Sequence, residues 1–363
     1  MAGRQTHIEG LKQALHHLEH SGGRGDAGRA LARKLRDPDL SGFASLGAIA
    51  PDLFYFYHIL SSRNSSGLYW GNLAHHERVC ELLLAFLDHI RADSDGHHRD
   101  KCLAFAMGYL THCAVDIVTH PYIFYITGDY YSSDPEQAAR AQNDHLRVEN
   151  ILDAYLVHQR WGMSAREYDF RQHIENTWEE DDSGDRRLDT DVWRMWVRSL
   201  AATFPEAFDS DYVGAADRLE EGDILNEAYL GFLRFASWTD VRSWTVRQLL
   251  RSVDLLTLRR VKARNLILPL PHRIDRRLPN EEHRTWRYPA DPERTSSESY
   301  VELVHRAARL GADMIRDALG YIAGDRRRKD FEGSYSGYNL DTGLRSRSLA
   351  MRAFEPIPED PDT

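Results

Sequence analysis

The stretch GYLTHCAVDIVTHPYI, Gly108 to Ile123, decides how this chain is read. It lies inside a long apolar segment, Leu103 to Ile126, that hydropathy alone would offer as a membrane span. Three ionisable side chains recur through it at intervals of four: His112, Asp116 and His120. Residues four apart stand above one another on one face of an α-helix, so these three project into a common space. In mid-bilayer each would be costly and would demand a partner, and Pro121 would interrupt the span. The expectation is a buried core helix with no transmembrane role, which the chain leaves at Pro121 with His120 at its end.

A carboxylate flanked by Cys113, Ala114, Val115, Ile117 and Val118 is expensive to bury unless it is paired or metal-bound. Imidazole nitrogen and carboxylate oxygen are natural ligands for zinc. A second row follows in NDHLRVENILDAYLVHQ, where His145 and Glu149 are again four apart and Asp153 comes one turn later. Two facing helices with such rows are how bundle cores assemble multi-metal sites. The competing reading is a structural His–Asp–His network, since 18 histidines produce some four-residue spacings by chance. Metal is the stronger reading because it accounts for Asp116.

The totals suit a globular protein. A chain of 363 residues forms one large domain or two ordinary ones, and 42% hydrophobic with 28% charged residues supports a substantial core. The net charge of −10 argues against a protein that tracks phosphates, so no stable nucleic-acid partner is expected. Cys80, Cys102 and Cys113 fall in apolar helical contexts and read as reduced, buried thiols. The start, MAGRQTHIEGLKQAL, has no apolar signal core, which leaves the cytoplasm as the expected location.

The pattern is helical almost throughout. Ile8, Leu11, Leu15 and Leu18 mark one face of a first helix, which GGRGD at 22–26 breaks. In GAIAPDLFYFY, Pro51 puts Asp52 at a helix start or in a tight loop. Further helices are expected over 166–179, 191–204, 212–220, 224–235 and 239–263, followed by a Pro-rich irregular connection over 265–297. Thr295 with Glu298 reads as a capping box for a helix closed by Gly324. The acidic stretch 179–191 reads as a surface loop, no strands are expected, and the end of the chain should be frayed. Residues 1–165 form the expected catalytic core, 166–325 further helices completing or covering it, and 326–363 an irregular tail.

Five motifs in order, THIEGLKQAL, GAIAPDLFYFY, AHH, GYLTHCAVDIVTHPYI and NDHLRVEN, resemble the zinc-dependent phospholipase C family. The likeness covers roughly residues 5–160. It is strongest to the branch that includes the N-terminal catalytic part of glycosylphosphatidylinositol-specific phospholipase D. It implies an all-α bundle of the zinc-dependent phospholipase C and S1/P1 nuclease kind, here with an additional C-terminal helical portion, holding two or three Zn2+ ions. Carried over motif by motif, it makes His7, Asp52, His75, His112, Asp116, His120, His145 and Glu149 the metal ligands. In AHH the ligand is His75 or His76, with His75 preferred. Asp52 doubles as the catalytic base, and Asp116 is expected to bridge two metals.

Asp153 would orient His145 or His112 from behind. The reaction implied is hydrolysis of a phosphodiester, in a phospholipid or a related small molecule. The alternatives are an S1/P1-like nuclease, which typically carries Asp where this chain has Glu149, and a non-catalytic metal-stabilised interaction protein. Two departures stand out. Secreted members bind one zinc through a mature N-terminal residue, often tryptophan, for which the Ala2 amine would have to substitute here. The toxins also append a membrane-binding β-sandwich, whereas residues 160–363 read as helix and loop.

Overall fold

The computed structural model describes residues 3–21, 26–59, 61–240, 242–256 and 263–359. The Ala2 amine, most of the GGRGD break and parts of the 239–263 stretch lie outside them. The first helices are α1 (Arg4–Ser21), α2 (Ala27–Lys34), α3 (Pro38–Leu53), α4 (Asn64–His76) and α5 (Val79–Ala92). Two long helices follow, α6 (Gly96–Thr127) and α7 (Pro135–Trp161). The rest comprises β1 (Trp178–Glu180), β2 (Arg186–Leu188), α8 (Thr190–Thr203), α9 (Pro205–Asp211), α10 (Ile224–Trp238), α11 (Trp244–Leu256), β3 (Trp286–Tyr288), β4 (Asp291–Ser296), α12 (Tyr300–Ala323) and α13 (Arg328–Tyr335). The fold is all-α apart from two short antiparallel hairpins, β1–β2 and β3–β4.

α6 is the axis of the molecule. By length and composition it could cross a membrane, yet its most apolar stretch is packed inside the protein. It is also longer than expected. Asp95 starts it by accepting hydrogen bonds from the His97 and His98 amides, and Gly128 ends it at φ 103°. Pro121 does not stop it. A proline inside a helix removes the hydrogen bond to the carbonyl four residues back, here that of Ile117. Gly343 packs directly over that carbonyl, so closely that a β-carbon there would lie 2.3 Å from the oxygen. His120 therefore sits well inside the helix rather than at its end.

α3 crosses α6 at almost backbone contact. A β-carbon on Gly47 would lie 1.9 Å from the Phe105 carbonyl, and one on Gly108 would lie 1.9 Å from that of Ala44. Two glycines facing each other's helix permit this approach. α12 packs along the other flank of α6 and also against α1. The main core lies among α1, α3, α5, α6, α8 and α10, while a smaller one joins the end of α6 to α7, α12 and the β3–β4 hairpin.

Several local expectations change. Asp52 closes α3 rather than opening a helix. The 166–179 stretch holds only a 3-10 turn and strand β1, and the acidic 179–191 segment folds as the β1–β2 hairpin and the start of α8. No helix forms over 212–220; α9 ends just before it. The Pro-rich connection contains the β3–β4 hairpin. The capping box is Ser299 with Glu302, four residues later than Thr295 with Glu298. The three cysteines are free and buried. After residue 325 the chain forms α13 and then packs inward, with Asn339, Leu340 and Asp341 buried.

Candidate metal centre

α1, α3, α4, α6 and α7 converge on one buried space. His7 enters from the first turns of α1, Asp52 from the end of α3, and His75 from the end of α4. The row from α6 supplies His112, Asp116 and His120, and α7 supplies His145 and Glu149. All eight side chains are buried. Three sets have ligand atoms within 4.8 Å of one another: His7, His112 and Asp116; Asp52, His75 and His112; and His120, His145 and Glu149.

Asp116 lies at the middle. His112 Nε2 is 3.0 Å from one of its oxygens, and His7 and His120 each place Nε2 3.5 Å from the other. His75 Nε2 lies 3.2 Å from Asp52 Oδ1 and 3.7 Å from Asp116. The His7 and His112 rings stack at 4.0 Å. On α7, His145 Nε2 is 2.8 Å from Glu149 Oε1.

The imidazoles are oriented from behind. His75 Nδ1 is 2.7 Å from the Gly71 carbonyl, His112 Nδ1 2.9 Å from that of Ala48, and His120 Nδ1 3.1 Å from that of Leu340. Donation from Nδ1–H to a carbonyl leaves Nε2 as the base, which is how ligating histidines are held. The Ala48 carbonyl reaches His112 because Gly47 and Gly108 let the two helices touch. Both nitrogens of His7, both oxygens of Asp116 and Nε2 of His120 are buried without hydrogen-bond partners among the described residues. Buried polar atoms left unmatched in this way need an explanation, and a cation among them supplies one. The residues fit zinc by donor type, burial and unmet hydrogen bonding.

The electrostatics agree. Burial would push Asp116 up, but His120, His112 and His7 hold it well below the usual carboxylate range. Burial likewise opposes ionisation of Asp52, and His75 and His112 pull it below its ordinary value. His7 is pushed down to about 3 by burial and by His112. Burial would lower His120, but Asp116, Asp341 and Glu149 together raise it to about 10. The protein thus concentrates carboxylate charge that protons on histidine offset in the absence of metal.

Sequence reasoning left His75 and His76 open. The structure brings His75 into the cluster and turns His76 outward, where Nε2 lies 2.9 Å from Asp341. Asp341 was missed. Its carboxylate also accepts from the Tyr131 hydroxyl and lies 3.4 Å from His120 Nδ1. Leu340 adds a main-chain clasp: its amide donates to the His75 carbonyl at 3.0 Å, and its carbonyl faces His120. The segment NLDTG has no periodicity to betray this role; its only local signal is Asn339, whose side chain accepts from the Asp341 and Thr342 amides.

Asp153 also differs from expectation. It does not reach back to His145 or His112 but takes the Gln5 and Thr6 amides at 3.1 and 2.9 Å and the Thr6 hydroxyl at 2.8 Å. It acts as a cap, supplied by α7, for the start of α1 and so fixes the turn that carries His7. Tyr130 packs against His145, and Tyr55 against His75. A cavity of about 190 Å³ opens beside the cluster, with Asp52 and Glu149 in its wall and Tyr55, Phe56, Leu146 and Phe235 around them.

A helical frame that closes on buried imidazoles and carboxylates is the arrangement of a protein able to hold metal ions. The family model described as zinc dependent phospholipase C matches residues 7–205, more than half of the chain, and the protein belongs to that family. The match runs through α8, further than the motifs alone carried the likeness, and stops well before Asp341. Comparison with curated proteins and with solved structures gave no match.

Proposed function

We propose that this protein is a zinc-dependent phosphodiesterase of the phospholipase C type, acting on a phospholipid or a related phosphodiester. The observation that carries the reading is the set of overlapping buried ligands around Asp116, with imidazole Nε2 atoms freed by carbonyls behind them. His7, Asp52, His75, His112, Asp116, His120, His145 and Glu149 would hold two or three zinc ions, as the family resemblance implies. Zinc, when bound, supplies Lewis acidity toward the phosphoryl group and the leaving oxygen.

The chain's own groups do the rest. Asp52 borders the cavity, which supports the role the family resemblance gives it, taking a proton from the attacking water. Tyr55, Phe56, Leu146 and Phe235 exclude bulk water and offer an apolar wall to the substrate's non-reacting part. Asp153 and Leu340 act as positioning groups, through the start of α1 and through His120 respectively.

Elemental analysis of the purified protein, paired with Asp116→Asn, tests this. The expected result is about two or three zinc ions per wild-type chain, with loss of metal and of turnover on a panel of chromogenic, lipid and nucleotide phosphodiesters in the variant. A stably folded wild type without metal would overturn the reading. Zinc without turnover across the panel would favour a structural metalloprotein, and turnover of nucleic acid alone would favour a nuclease.

A further inference from the structure

α11 turns an apolar face to solvent. Trp244, Leu249, Leu255 and Leu256 are all exposed, Trp244 by 65% and Leu256 by 83%, and Trp238 at the end of α10 is exposed as well. Single exposed leucines need no explanation, but a group of this size on one helix and its neighbour's end does. Leu250, Asp254 and Leu255 border a cavity of about 370 Å³ against Ile151 and Leu268 of the body, so Leu255 stands where the exposed face meets the rim of that cavity.

The local charge runs against that of the whole chain. From Arg242 to Arg264 the sequence has seven arginines and lysines and one aspartate, in a protein of net charge −10. Arg242 is engaged by Asp169 and Asp240. Arg273, on the rim of the same cavity as Leu255, and nearby Arg276 are exposed and form no ion pair among the described residues. α11 itself carries Arg247 and Arg251 against one acidic residue, Asp254, and tryptophan and leucine on a helix within a basic segment is the pattern of an element that lies in a membrane interface.

Its position matters as much as its composition. Phe235 of α10, nine residues before α11, and Leu266, ten residues after it, both line the cavity that opens on Asp52 and Glu149, as does the exposed Ile59. We propose that the outer face of α11, with Trp238, docks the protein on an anionic lipid bilayer. That orientation sets the mouth of the substrate cavity against the surface from which a phospholipid is drawn. The use of the docking rests on the phospholipase reading; the binding itself does not.

Sedimentation of the zinc-loaded full chain with vesicles tests it. Vesicles of phosphatidylcholine with about 30 mol% phosphatidylserine should capture the wild type, phosphatidylcholine alone should do so weakly, and added salt should reduce capture. Leu255→Asp with Leu256→Asp should lower partitioning by about tenfold or more, and Trp244→Ser provides a second variant if that pair fails to fold. Zinc content and hydrolysis of a soluble chromogenic phosphodiester should be unchanged in both. Failure of the wild type to bind anionic vesicles at low salt, or undiminished binding by the variants, overturns the proposal. So does a wild-type dimer in analytical ultracentrifugation that the α11 variants dissociate, since a second copy would then cover the face. Vesicle binding in a protein that hydrolyses no phosphodiester would sink the proposed activity and leave the docking surface standing.

Discussion

Asp341 shows how much a single side chain can do from behind a metal cluster. It faces His120, His76 and Tyr131 rather than the shared space around Asp116. Partners of this kind fix ring orientation and typically change metal affinity by about 10–100-fold when removed. Asp341→Asn is accordingly expected to weaken zinc retention by about that factor in competition with a chelator. Unchanged retention would make the contact incidental. His112, Asp116, His120, His145 and Glu149 were legible in the sequence because helical spacing puts four-apart positions on one face, whereas His7, Asp52 and His75 came only from the family resemblance. Asp341 was not, because a loop residue 265 positions from His76 leaves no periodic trace.

Among elements, α1 depends on a cap it does not carry itself. Its first amides are met by Asp153 from α7, and burial pushes that carboxyl up to about 7 despite those hydrogen bonds and nearby Arg4. The folded protein therefore binds a proton there that the unfolded chain releases near its ordinary value of 3.8. Stability from this group is fully present below that value and is lost as pH rises through about 7. Asp153→Asn should remove this loss, so thermal denaturation of wild type and variant should diverge as pH rises from about 4 to about 7, by an amount on the order of a few kcal/mol. Parallel pH profiles would show that the carboxyl stays ionised. The sequence could show Asp153 on the face of His145 and Glu149 but not which helix end it would meet. The same limit applies to Pro121, since the partner that lets α6 continue, Gly343, lies far along the chain.

Across the whole molecule, helix content was readable from apolar spacing and the centre from the rows of histidine and carboxylate that interrupt it, while the hairpins and the final segment were not. Strands of three residues, such as β1 and β3, offer too few positions for an alternating pattern to emerge. Because five helices and the Leu340 segment meet at one cluster, bound zinc would tie the entire frame together. A ligand that binds only the folded state stabilises it by mass action. Zinc at about a hundredfold excess over its dissociation constant should then raise the thermal midpoint by about 3–4 °C for each site filled, reversed by a chelator. No shift would mean that the helices hold without the metal. The Leu340 clasp has a further consequence in time. It lies 220 positions after His120, so at about 5–20 residues per second a ribosome would need roughly ten to forty seconds between making the two. For that interval the newborn helices would carry an open, acidic cluster, and durable zinc loading would belong to the end of synthesis rather than its course.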